Sequence, residues 1–176
     1  VELETRELIL VADRLNLGTG STQPTRLAAS GSAGGDADPL IVAGNAAVAM
    51  VSTARGATLT RDAGASAAEL NVAEGVTLAA PGSIVLDANG DVNLAGTLDA
   101  AGASLALGGA SVSLGETDGL GLSGLVLSNA DLARLAGSDL SLRSGGALEI
   151  VGTLADAGNA HNFERLAIDA QGIVGR

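Results

Sequence analysis

Aliphatic residues recur along the chain in pairs separated by one small or polar residue, each pair followed by a turn of Gly, Asp, Asn or Ala. Between Leu70 and Leu122 the pairs are Leu70/Val72, Val76/Leu78, Ile84/Leu86, Val92/Leu94, Leu105/Leu107, Val112/Leu114 and Leu120/Leu122, with Leu98 standing alone. Alternation at period two puts both members of a pair on one face of a short strand. With Leu98 counted as a half-pair, successive starts lie six to eight residues apart, room for a strand of three or four residues and a tight turn. Stepping three pairs at a time gives a longer period: Leu70 to Val92 and Val76 to Leu98 are 22, Ile84 to Leu105 is 21 and Val92 to Val112 is 20. One such strand cannot bury its aliphatic face alone, but coils stacked at the inter-strand spacing place Leu over Leu and Val over Val. The spacing therefore predicts an all-β fold: a right-handed parallel β-helix, a β-solenoid with three short strands per coil of about 20–22 residues.

The rest of the chain carries the pattern less evenly. Val1/Leu3, Leu8/Leu10 and Leu15/Leu17 are pairs at seven-residue steps, so the first coil is expected at the first residue. Residues 18–38 are rich in Gly, Ser, Thr, Asp and Ala, with Pro24 and Pro39 near their ends. They read as a loop excursion in which Leu27 alone returns to the core, and deleting 21–37 is expected to leave the fold intact. Leu40–Val42, Ala46–Val51 and Ala57–Leu59 read as strands, and Ala63–Leu70 reads as a possible helical turn. After the Leu125–Leu127 strand, Ser128 to Leu135 switches to helical spacing, with Asp131 three residues after Ser128 as in a capping box. A short helix is predicted near 129–136. Strands resume at Leu140/Leu142, Leu148/Ile150 and Leu166/Ile168, with a second loop excursion at about 155–163. No linker divides the chain, so residues 1–176 are read as a single β-helix segment of a longer chain. About eight coils of roughly 21 residues would form a rod near 40 Å long at about 4.8 Å per coil.

Composition fits this pattern. Hydrophobic residues make up 47% of the chain, yet aromatics are 1%, a single Phe with no Tyr or Trp. Irregular cores use bulky rings to fill volume, whereas a narrow, regular interior needs only Leu, Val, Ile and Ala. Gly, at 26 residues, is about twice its usual share of about 7%, as dense turns require. The net charge is −11, with nine Arg and no Lys. Nucleic-acid binding by phosphate neutralisation and docking on an anionic membrane are thereby disfavoured. Without cysteine there is no disulfide, zinc–thiolate site or thiol nucleophile. No apolar run reaches the length of about 18 residues that membrane insertion by a helix needs.

The phrase from Ile84 to Gly102, Ile-Val-Leu-Asp-Ala-Asn-Gly-Asp-Val-Asn-Leu-Ala-Gly-Thr-Leu-Asp-Ala-Ala-Gly, resembles the repeats of filamentous-haemagglutinin-like exoproteins. The block from Leu125 to Leu142 resembles a unit that recurs in their relatives. The resemblance covers residues 70–176 well and the first third loosely. It implies a secreted, cell-surface right-handed β-helix exported by an outer-membrane secretion partner in two-partner secretion, acting as an adhesin, biofilm scaffold or toxin-bearing stalk. It brings no catalytic residues. The Asn-Pro signatures of the family's secretion domain and an Arg-Gly-Asp triplet are absent from this sequence.

Few side chains suggest chemistry. His161, the one histidine, lies two residues before Phe163 and has no second His or Cys to share a transition metal. Asp87, Asn89 and Asp91 have the spacing of the first ligands of a calcium loop, but Val92 stands where Gly is needed and Leu98 where the closing Glu belongs. The stretch from Gly34 to Leu40 is a single broken copy of a calcium-roll repeat, whose ions are shared between stacked copies. Glu2, Glu4 and Glu7 form an acidic edge that reads as solvated. Polysaccharide-degrading enzymes also use parallel β-helices, but they need clustered carboxylates with a basic neighbour. Asp87, Asp91, Asp99 and Asp118 fall at turns, and no Arg lies between Arg61 and Arg134. The sequence thus predicts no enzyme and no catalytic, cofactor-binding or metal-ligating residues. It predicts a non-catalytic shaft whose other partner is a host-cell or matrix receptor or a second copy of itself. The alternative is a self-assembling filament or sheath subunit.

Overall fold

The computed structural model describes residues 1–18, 24–62, 67–100, 102–156, 159–160 and 163–176. The chain is mostly β, arranged among the described residues in three principal sheets. Strands follow sequence order in the first two. In the third, Leu125–Ser128 is inserted between Val92–Leu94 and Val112–Gly115, so Val92 stacks on Leu125 and not on Val112 as the 20-residue step predicts. The first sheet has four parallel strands in the order Glu2–Thr5, Thr25–Ala29, Val76–Ala79 and Thr97–Asp99. The second has six: Glu7–Ala12, Ala47–Ser52, Ser83–Asp87, Ser104–Gly109, Asp139–Ser144 and Arg165–Asp169. The third has seven, ordered Arg14–Leu17, Glu69–Val72, Val92–Leu94, Leu125–Ser128, Val112–Gly115, Ala147–Val151 and Gly172–Gly175.

Register explains why the aliphatic pairs recur. In the first sheet Leu3, Leu27, Leu78 and Leu98 stand in one row. In the second, Ile84, Leu105, Leu140 and Leu166 form one row, and Leu86, Leu107, Leu142 and Ile168 the next. In the third, Leu15, Leu70 and Val92 align. The inner members of these rows from all three sheets meet in one hydrophobic core, in which Leu78, Ile84, Leu105, Leu125, Leu140 and Leu148 are almost wholly buried, while Leu3, Leu166 and Ile168 at the row ends are exposed. On the outward side of the third sheet Asn16, Asn71 and Asn93 form a ladder: Asn93 Nδ2 donates to Asn71 Oδ1 at 2.8 Å and Asn71 Nδ2 to Asn16 Oδ1 at 2.6 Å.

The helix falls where the spacing places it, over Asn129–Arg134. Ser128 accepts from the Asp131 backbone while Asp131 Oδ2 accepts from the Ser128 N–H at 2.9 Å, which completes the capping box. Leu132 and Leu135 enter the core.

Four expectations are corrected. Residues 18–38 are not simply a loop: Thr25–Ala29 is a strand paired on both sides, so deleting 21–37 would remove a member of the first sheet. Leu120/Leu122 forms no strand. It lies in a Gly-rich turn where Leu120 is exposed and Gly119 and Gly121 adopt positive φ, a conformation that favours glycine. Among the described residues the sheets contain four, six and seven strands rather than eight each; residues 36–46 and 53–61 fold over the second sheet, and a helix occupies residues 129–134. Finally, Ala47–Ser52 runs antiparallel to both of its neighbours, Glu7–Ala12 and Ser83–Asp87. Ala63–Ser66, within the possible helical turn, lies outside the described residues, and Glu69–Val72 is a strand. At 155–163, the described Ala155–Asp156 and Asn159–Ala160 pair antiparallel.

The reversed strand is buried along its whole length because it has a cover. Leu40–Val42 and Leu59–Arg61 form a small parallel sheet. Leu59, with Ala57 and Ala37, packs in a second hydrophobic cluster on Met50, Val85 and Ala106. Val85 and Ala106 are the outward residues between Ile84 and Leu86 and between Leu105 and Leu107. This stretch of the second sheet is therefore apolar on both faces, whereas a solvated strand alternates.

Candidate functional site

The outer layer is fastened to the second sheet by hydrogen bonds and buried charge. Ser52, Ser83 and Ser104 share one row, and all three accept amides from the segment above them. Ser52 Oγ accepts from Ala54 at 3.1 Å, Ser83 Oγ from Ala57 at 3.2 Å and Ser104 Oγ from Gly56 at 3.2 Å. Ser83 Oγ also donates to the Ala54 carbonyl at 2.7 Å.

At the other end of the same strands lies Asp87, only 3% exposed. Two arginines converge on it. Arg143 grips the carboxylate as a fork, with Nε on Oδ2 at 2.6 Å and Nη2 on Oδ1 at 2.7 Å. Arg61 reaches down from the outer layer, donating from Nε to Oδ1 at 3.1 Å and pairing through Nη2 as well. Its Nη1 donates to the carbonyls of Ala43, Gly44 and Ala46, which close the turn above. Asp87, Gly108 and Arg143 occupy one row of the sheet. A Cβ on Gly108 would collide with the Asp87 carboxylate. Glycine there clears the path by which Arg143 reaches across one strand to Asp87.

Next to this centre, beyond the Leu59–Arg61 strand, the outer layer stops and a groove of about 260 Å³ opens. Its floor is the outward face of three strands, carrying Ala106, Ser141 and Ala167. Asp139 and Arg165, 4.0 Å apart, stand at one end, and Arg143 and Asp169, register partners, at the other.

The other sequence candidates are dispersed. Asp87 is held by the arginines, Asn89 Oδ1 accepts from the Ala68 amide at 2.6 Å, and Asp91 Oδ1 accepts from the Gly124 amide at 2.7 Å. The three side chains of the calcium-like spacing thus turn to three different parts of the protein. Asp99 lies 3.9 Å from Arg26, and Asp118 is exposed in the turn after Gly115. In the Gly34–Leu40 stretch, Asp36 forms an isolated bridge with Arg55, and this segment is the approach to the outer layer. Glu2, Glu4 and Glu7 are exposed; Glu2 lies 3.7 Å from Arg26, and Glu7 accepts from Ser52 Oγ at 2.9 Å. His161 lies outside the described residues.

The Asp87 centre was missed from sequence because its partners are 26 and 56 residues away. A signal was nevertheless present. Asp87, Gly108, Arg143 and Asp169 each follow the second aliphatic of a pair, at Leu86, Leu107, Leu142 and Ile168. Aligning the phrases would have put them in one row.

Chemically, a carboxylate whose two oxygens both accept from guanidinium groups fastens together the elements that carry them. The described structure defines an all-β protein of three mainly parallel sheets around one core, with a small charged clasp holding an outer layer. Comparison with family models, curated proteins and solved structures finds no match to this chain.

Proposed function

We propose that the chain is a stretch of right-handed parallel β-helix serving as a non-catalytic shaft of a secreted, cell-surface adhesin or biofilm matrix protein. The observation that carries the architectural part is the in-register stacking of aliphatic rows in three sheets around one core. Stacking of this kind gives stiffness along the stack, since each strand is hydrogen-bonded to the next. The surface role rests on the likeness of its repeats to filamentous-haemagglutinin-like exoproteins, which also supplies the outer-membrane secretion partner. The engagement of Asp87 by two arginines supports a structural rather than a catalytic part for the buried charge.

Self-assembly into a filament is the second reading. The in-register stacking of the second sheet supports it, since strands of a second copy extend such a sheet by the same backbone hydrogen bonds. Electron microscopy of the parent protein, on cells and purified, separates the two. Single rods tethered to the surface support the shaft, ordered fibres formed without a partner support the filament, and a compact particle refutes both.

A further inference from the structure

We propose that the groove beside Leu59 receives an uncharged, extended peptide segment of a partner protein as a third strand of the outer sheet. Main-chain direction carries the inference. Leu40 donates its N–H to the Thr58 carbonyl at 2.8 Å, and Asp62 donates to the Val42 carbonyl at 3.0 Å. Peptide groups of a strand alternate in direction. Thr58, Thr60 and Asp62 therefore face the Leu40–Val42 strand, and Leu59 turns its N–H and C=O away from it, on the side where the groove lies.

The groove suits a backbone better than a bulky ligand. Its floor residues, Ala106, Ser141 and Ala167, are all small, so an added strand can lie close over them. Charge balances at each end, Arg165 lying 4.0 Å from Asp139 at one and Asp87 with Asp169 offsetting Arg61 and Arg143 at the other, so neither end favours an anion or a cation. Affinity from main-chain hydrogen bonds and selectivity from alternate side chains is the pattern of strand addition. The occupant is accordingly a neutral segment with small residues at the alternate positions that face the floor. This inference is independent of the shaft reading, since the edge and floor are present whatever the parent protein does.

The test titrates the isotopically labelled chain with a pool of end-capped hexapeptides built from Ala, Ser, Thr and Val, followed by amide chemical shifts. Saturable shifts centred on Leu59, Ala106, Ser141 and Ala167 are expected. A pool N-methylated at alternate residues, unable to donate those hydrogen bonds, is expected to bind at least tenfold more weakly. So is the native pool against Ser141→Trp, which fills the floor from an exposed position; its circular dichroism reports folding. No saturable shift at millimolar peptide, shifts centred elsewhere, or equal binding of the methylated pool overturns the proposal.

Discussion

The Asp87 clasp makes a quantitative demand on stability. In Asp87→Asn the shape is kept but the charge is lost, leaving two guanidinium groups without a counter-ion. Their side chains are 9% exposed for Arg61 and 23% for Arg143, against 4% for Asp87. Removing one member of a buried ion pair costs about 3–5 kcal/mol. Two features pull the expected figure to the low end. Arg61 keeps its three backbone carbonyls, and Arg143 can turn toward the groove. We expect a loss of about 3 kcal/mol for Asp87→Asn. Arg143→Gln should cost about 1–2 kcal/mol, because Asp87 keeps Arg61. Replacing all three by apolar residues of similar size, Arg61→Met, Asp87→Leu and Arg143→Met, should return stability to within about 1 kcal/mol of the parent. Urea unfolding followed by circular dichroism reads all of these, with an unchanged slope showing that midpoints are comparable. A loss below about 1 kcal/mol for Asp87→Asn would show that the charges are already solvated and that the clasp does not hold the outer layer.

Three further outcomes follow from local geometry. Gly108→Ala places a methyl against the Asp87 carboxylate and 3.1 Å from Arg143 Nε; a loss of about 1–3 kcal/mol is expected in the same unfolding assay, shrinking when Asp87 is also Ala. Leu105→Ala or Leu140→Ala removes a fully buried member of one row and should cost about 2–5 kcal/mol, whereas Leu120→Ser in the exposed turn should change stability by no more than about 0.5 kcal/mol. Ser128→Ala breaks the capping box and should cost about 1 kcal/mol, with amide exchange accelerating at Asp131 before it does in the strands.

How much of this was legible depends on whether a residue's partner lies in the same repeat pattern. Leu105 and Leu140 could be assigned inward because a pair at period two has only one apolar face. The helix at Asn129 was legible because Ser128 and Asp131 carry a cap of their own. Direction was not legible for Ala47–Ser52, since period two is the same read forward or backward. Its continuous apolar run, Ala46 to Val51, did hint at burial on both faces. Thr25–Ala29 was hidden among turn-forming residues because Leu27 is its one large aliphatic. Leu120/Leu122 shows the converse: two aliphatics one residue apart satisfy the pattern even where Gly119 and Gly121 bend the chain. The groove was invisible because it exists only where the outer layer ends, which no local pattern records.

The reversed strand also bears on how such a chain keeps count. Repeats that resemble one another invite slippage: a strand that docks one repeat early still finds Leu beside Leu, and its inward and outward faces stay correct. Ala47–Ser52 has no such equivalent among the described residues, since every antiparallel pairing in the three principal sheets is one that it makes. Asp87, one strand further on, accepts only a row in which Gly108 and then Arg143 follow. Together they act as an index mark from which the other repeats are numbered outward in both directions. Cysteines at Val85 and Ala106, which are register partners, would report the count after refolding: efficient cross-linking in the parent background, and scrambled or absent cross-linking once Asp87 is lost.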